Sequence, residues 1–174
     1  MKKLAFALAL PAYLAIASAC VAGIPTKYYT ISTRDRGNPE SFLAVEGGQL
    51  TQGPSTFGRI PDNRDAPDRW YILGTQIKSS VGGGYLAYDP SGQDTKVFLS
   101  PKPGEGTSWS VIGVRGPEGR RGVIRAGAGR LVGWYLCVEE VEERRGGEAA
   151  TVRRFVLTRK PSRKLEAERI WEHK

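Results

Sequence analysis

Gln76-Ile77-Lys78, then Tyr85-Leu86-Ala87-Tyr88, then Ser108-Trp109-Ser110-Val111 form the middle copy of a unit that occurs three times. The first copy reads Tyr28-Tyr29-Thr30-Ile31-Ser32, Phe42-Leu43-Ala44-Val45 and Arg69-Trp70-Tyr71-Ile72. The third reads Gly122-Val123-Ile124-Arg125, Tyr135-Leu136-Cys137-Val138 and Arg154-Phe155-Val156-Leu157. Ile31, Ile77 and Ile124 are spaced 46 and 47 residues apart. A period of this size means that one supersecondary unit has been copied, and that no copy can bury its apolar face alone. Each unit holds about four short strands. Three such units predict one closed, pseudo-threefold, all-β domain.

The strands of the first copy are predicted at 28–33, 42–46, 50–52 and 69–73, and those of the second at 76–79, 85–89, 96–100 and 108–114. The third copy is predicted to use 122–126, 134–139 and 154–158, with its remaining strand somewhere in 140–152. Trp70, Trp109 and Phe155 are expected at matching core or cap positions. Beside them should lie Ile31, Ile77, Ile124, Leu43, Leu86 and Leu136. Three longer connections interrupt the pattern: 53–68, with Gly53, Pro54, Gly58, Pro61 and Pro67; 113–121; and 139–151, which turns at Gly146-Gly147. Long connections in a compact domain are often functional.

The chain has 174 residues, which suits one domain, and its 22 glycines and 11 prolines agree with many turns. Lys2 and Lys3 precede an apolar stretch from Leu4 to Ala17, and small residues follow at 17–22. This is the pattern of a secretory signal peptide, with cleavage expected after Ala19 or Ala22. A lipidated Cys20 is the alternative, although Ala17 stands where a large aliphatic is usual. The expected division is therefore a signal peptide over 1–22, a β domain over 23–159 and a tail over 160–174, open to a short helix, an edge strand or a flexible extension. A secreted, extracellular location and a monomer follow as expectations. No later segment is apolar and long enough to predict a membrane span.

Removing Lys2 and Lys3 leaves 24 basic residues against 18 acidic ones, a net charge near +6. The charges are interspersed, and no run of aromatics among basic residues suggests a nucleic-acid platform, so no nucleic-acid partner is expected. If Cys20 leaves with the signal peptide, Cys137 alone remains, so no internal disulfide can form. Its place between Leu136 and Val138 predicts a buried, inert thiol.

Four short strands repeated three times, with an aromatic opening each last segment, resemble a β-trefoil. Within that fold the chain is most similar to the trefoil peptidase inhibitors of fungi, of the cospin and mycocypin kind. The likeness rests on Lys27-Tyr28-Tyr29-Thr30-Ile31, Phe42-Leu43-Ala44-Val45, Arg69-Trp70-Tyr71-Ile72, Ser108-Trp109-Ser110-Val111 and Arg154-Phe155-Val156-Leu157-Thr158, and covers about 27–159. It implies inhibition of an extracellular serine-type or cysteine-type peptidase, with no cofactor and no enzymatic activity. Such inhibitors can carry a reactive residue between the second and third strands of the first copy. Here that loop is Glu46-Gly47-Gly48-Gln49, with no Lys or Arg for a trypsin-like pocket. Gly48 and Gln49 are its candidate residues. A second candidate loop is Phe57-Gly58-Arg59-Ile60-Pro61-Asp62. Arg59 could meet an acidic specificity pocket, with Ile60 beside it and Pro61 stiffening the chain.

A glycan is the alternative ligand, as in trefoil lectins of the ricin-B kind. Tyr85, Tyr88 and Asp89 could supply a stacking face and polar groups. The Gln-x-Trp of that family is absent from Asp68-Arg69-Trp70, Thr107-Ser108-Trp109 and Arg153-Arg154-Phe155. An enzymatic reading finds little: the single histidine is His173, and no cluster has metal-ligand spacing. Val81-Gly82-Gly83-Gly84-Tyr85 lacks the lysine of a phosphate loop and reads as a hairpin connection.

Overall fold

A computed structural model of the chain describes residues 28–33, 41–54, 66–116, 119–160 and 163–169. The signal-peptide segment 1–22, Arg59 and Ile60 with the rest of 57–62, and His173 lie outside the described residues. Among those described, the regular structure is all-β apart from one 3-10 turn, Glu105–Thr107. The strands are β1 (Tyr29–Thr33), β2 (Ser41–Glu46), β3 (Gln49–Gly53), β4 (Trp70–Leu73), β5 (Gln76–Ser79), β6 (Tyr85–Tyr88), β7 (Val97–Ser100), β8 (Trp109–Gly116), β9 (Gly119–Ala126), β10 (Tyr135–Arg145), β11 (Glu148–Thr158) and β12 (Glu166–Arg169).

All strand pairings are antiparallel. β1 pairs β4 at Tyr29↔Trp70, β4 pairs β5 over its length, and β8 pairs β9. β12 lies between β9 and β1, with Ala167 opposite both Gly122 and Ile31. The Trp109 backbone N–H donates at 2.7 Å to the carbonyl of Thr75 in the β4–β5 turn, so the path β8–β9–β12–β1–β4–β5 comes back toward the start of β8. Three hairpins branch from it: β2–β3 from β1, β6–β7 from β5 and β10–β11 from β9.

The interior explains the sequence period. Ile31, Ile77, Ile124, Leu43, Leu86 and Leu136 are all fully buried, as is Trp70, and Trp109 nearly so. Burying each such side chain contributes about 1.5–3 kcal/mol relative to exposure. The leucine of each copy's second strand also has its carbonyl satisfied in a repeated way. Trp70 Nε1 donates to the Leu43 carbonyl at 3.0 Å, and Trp109 Nε1 to the Leu86 carbonyl at 2.8 Å. In the third copy the Leu136 carbonyl accepts from the backbone N–H of Leu165, at 2.8 Å.

That bond corrects the expected third copy. Phe155 is buried, but it lies in β11 opposite Val138, the place of a third strand. The position matching Trp70 and Trp109 belongs to Leu165, which is fully buried just before β12. The closing strand thus comes from the segment expected as a tail over 160–174, and the sheet extends past 159. An aliphatic residue stands where the first two copies have tryptophan, so the aromatic signal pointed to the wrong strand.

Two expected connections are also strands. The 139–151 segment belongs to the β10–β11 ladder, which runs from Tyr135↔Thr158 to Arg145↔Glu148. Glu140 pairs Arg153 at 3.4 Å and Glu143 pairs Arg154, so cross-strand charges stand where apolar alternation was sought. Residues 113–116 and 119–121 are the end of the β8–β9 ladder, paired to Gly116↔Gly119.

Candidate functional site

The β2–β3 hairpin ends in Glu46-Gly47-Gly48-Gln49. Gly47 and Gly48 have φ of 57° and 78°, the left-handed pair that a tight two-residue hairpin turn demands. A Cβ on either would meet nothing within 4 Å, so backbone conformation alone, not crowding, selects glycine here. The turn is exposed, and the strands beneath it pair at five positions, from Phe42↔Gly53 to Glu46↔Gln49. Leu43 and Val45 anchor that ladder in the core. Gly48 and Gln49 are thus carried on a stiff support.

Beside this turn opens a cleft of about 680 Å³, formed where the third strands of the three copies approach one another. Gly48, Gln49 and Leu50 line it from the first copy, residues 96–99 from the second, and residues 153–155 from the third. The Thr95 carbonyl accepts from the Leu157 N–H at 2.8 Å, and Lys96 bridges Val156, which docks β7 onto β11. The floor is apolar: Val97 and Phe155 are buried, and Leu50 and Leu99 half-buried.

The rim is cationic. Lys96 is exposed, and Arg153 and Arg154 are partly exposed. Arg153 Nε lies 3.4 Å from Glu140, and its Nη1 donates to Gln52 Oε1 at 3.5 Å. Arg154 pairs Glu143. Lys96 makes no ion pair among the described residues. No carboxylate side chain is among the described residues lining the cleft. Phe98 stands beside Lys96 with 48% of its surface exposed.

The structure brings Gly48 and Gln49 to this cleft. Lys96, Phe98 and Arg153 were not singled out from sequence. Their signal was present in the period: each lies in or beside the third strand of its copy, and overlaying the copies places those strands together.

The candidate glycan residues separate. Tyr88 is only 1% exposed, with its ring edge-on to Trp109 at 4.9 Å. Its hydroxyl lies 2.8 Å from the Ser108 carbonyl and accepts the Ala128 N–H at 3.0 Å. Burial pushes its pKa up, against the backbone hydrogen bonds. That ring is core and offers no stacking face. Asp89 instead builds its own turn, accepting from the Ser91 N–H at 2.9 Å and the Ser91 hydroxyl at 2.8 Å, which hold its carboxyl below the usual range. Tyr85 faces outward under Lys78 Nζ, 5.4 Å from the ring centre.

Cys137 is buried in β10, and burial above all, with the Glu139 charge, pushes its thiol up to about 11. Among the described residues no group of three or more His, Cys, Asp or Glu is placed to hold a metal ion. Nor, among them, is any helix long and apolar enough to cross a membrane. No protein-family model matches the chain, and no curated protein sequence matches it.

Proposed function

We propose that this chain is a secreted, monomeric β-trefoil that inhibits an extracellular peptidase by seating a surface loop in its active-site cleft. The observation that carries this is the exposed Gly47-Gly48 turn on its five-pair ladder. A loop that is already ordered loses little conformational entropy when it docks, and that cost otherwise erodes affinity. The trefoil reading is supported by the returning six-strand path and by a hairpin in each copy. Secretion is supported by Lys2, Lys3 and the apolar stretch after them. The buried Cys137 thiol, with its raised pKa, also suits an oxidising compartment, because it resists oxidation.

With no Lys or Arg at 46–49, this turn suits a target whose specificity pocket is not acidic. Arg59 offers a trypsin-like target a separate loop. The test is a panel of trypsin-like, chymotrypsin-like, subtilisin-like and papain-like peptidases against residues 23–174. Nanomolar inhibition of one class is expected, and inhibition of none would overturn the proposal.

A further inference from the structure

We infer that the cleft between β3, β7 and β11 is a binding site for a small amphipathic carboxylate, its apolar body on Leu50, Val97, Leu99 and Phe155 and its head at Lys96. This site shares Gly48 and Gln49 with the candidate inhibitory turn, but it is tested with no peptidase present, so it can fail while the inhibitor reading holds.

Three observations converge on it. The cleft's volume of about 680 Å³ falls within the roughly 300–1,000 Å³ usual for small-molecule sites. Its floor is made of aliphatic and aromatic side chains drawn from all three copies. An apolar ligand body placed there would cover the parts of Leu50, Leu99 and Phe98 that water still reaches, above the buried Val97 and Phe155. The charge on its walls has one sign, with three cations and no carboxylate among the described lining residues.

The three cations are not equivalent. Arg153 and Arg154 already pair with Glu140 and Glu143, so they frame the wall and have less left to offer an anion. Lys96 makes no ion pair among the described residues, yet its backbone is fixed. Its N–H donates to Asp94 Oδ1 at 2.9 Å, and it bridges Val156 on β11. An ammonium without an ion pair among the described residues, on a pinned backbone, offers a carboxylate head a compact point charge. Phe98, nearly half exposed beside it, extends the apolar surface toward the rim. A fatty acid or an aryl carboxylate of similar size has the matching form.

The test uses anilinonaphthalene sulfonate, a fluorescent aromatic anion, titrated into the folded protein and then displaced. Octanoate should displace it from one saturable site, and octanol, of the same chain length without the charge, should not. Lys96→Gln should weaken both anions about tenfold or more, the size of one lost charge-assisted hydrogen bond. Lys102→Gln, at an exposed lysine away from the cleft, should leave both affinities unchanged. Equal thermal midpoints for parent and variants show that folding is not the cause. No saturable binding, equal displacement by octanol, or equal loss in the two variants overturns the proposal.

Discussion

Leu165→Ala tests whether the chain beyond 159 belongs to the sheet. Leu165 is fully buried, and its N–H holds the Leu136 carbonyl at 2.8 Å. The substitution keeps that backbone bond and deletes three carbons. At about 0.8 kcal/mol per buried CH₂, the lost transfer energy is about 2.4 kcal/mol. The cavity left behind adds to this, and fully buried Leu→Ala changes typically cost about 2–5 kcal/mol in total. We expect about 3–4 kcal/mol, because the neighbouring Ile31, Leu136 and Ala167 are held on paired strands and have little room to collapse inward. The assay is urea unfolding followed by fluorescence of the buried Trp70 and Trp109. The midpoint should fall while the slope stays constant. Leu73→Ala, at a site 41% exposed, should cost less than about 1 kcal/mol. A Leu165→Ala loss no larger than that of Leu73→Ala would refute the reasoning, because residue 165 would then lie outside the packed core.

Trp109→Phe should cost about 1–3 kcal/mol, since the Leu86 carbonyl loses its indole donor in a buried place; unfolding equilibria measure it. Gly48→Ala should cost about 1–2 kcal/mol, because alanine resists the left-handed conformation even though no atom crowds the site; a neutral result would show that the turn adopts another form. Cys137 should resist a thiol reagent at pH 8 in the native state and react at once in urea, and rapid native labelling would contradict its burial. Its thiol is raised from 9.0 to about 11. The folded state therefore holds that proton more tightly than the unfolded chain does. The associated stability is present below about pH 9 and is lost as the pH rises toward 11. Alkaline melts of the parent and of Cys137→Ala compare this directly, with the smaller alkaline decline expected in the variant.

The interior was legible because it repeats. Ile31, Ile77 and Ile124 occupy one place in each copy, as do Leu43, Leu86 and Leu136, and all six are buried in one shared core. The third copy was misread where it departs from that chemistry. Leu165 replaces an aromatic side chain, and Phe155, the aromatic nearest the expected spacing, packs one strand earlier. The β10–β11 arm was hidden for a different reason: Glu140 faces Arg153 directly across the ladder and Glu143 reaches Arg154, and such charged positions leave no hydrophobic alternation to find. The turn at 46–49 was readable from adjacent glycines between two strand-like runs. The cleft beside it was not, because its walls come from residues about 50 apart in sequence and meet only where β3, β7 and β11 approach one another.

Under the proposed function the 46–49 turn is the surface that enters a peptidase. The most direct measurement is the inhibition constant of the responsive peptidase for the parent and for Gln49→Trp, which enlarges an exposed turn residue while leaving the hairpin glycines in place. If this turn seats in the active-site cleft, the inhibition constant should rise about thirtyfold or more, the loss typical of a disrupted interface hot spot. An unchanged constant, with both proteins equally stable, would remove this turn from the inhibitory surface and move inhibition to another face of the molecule.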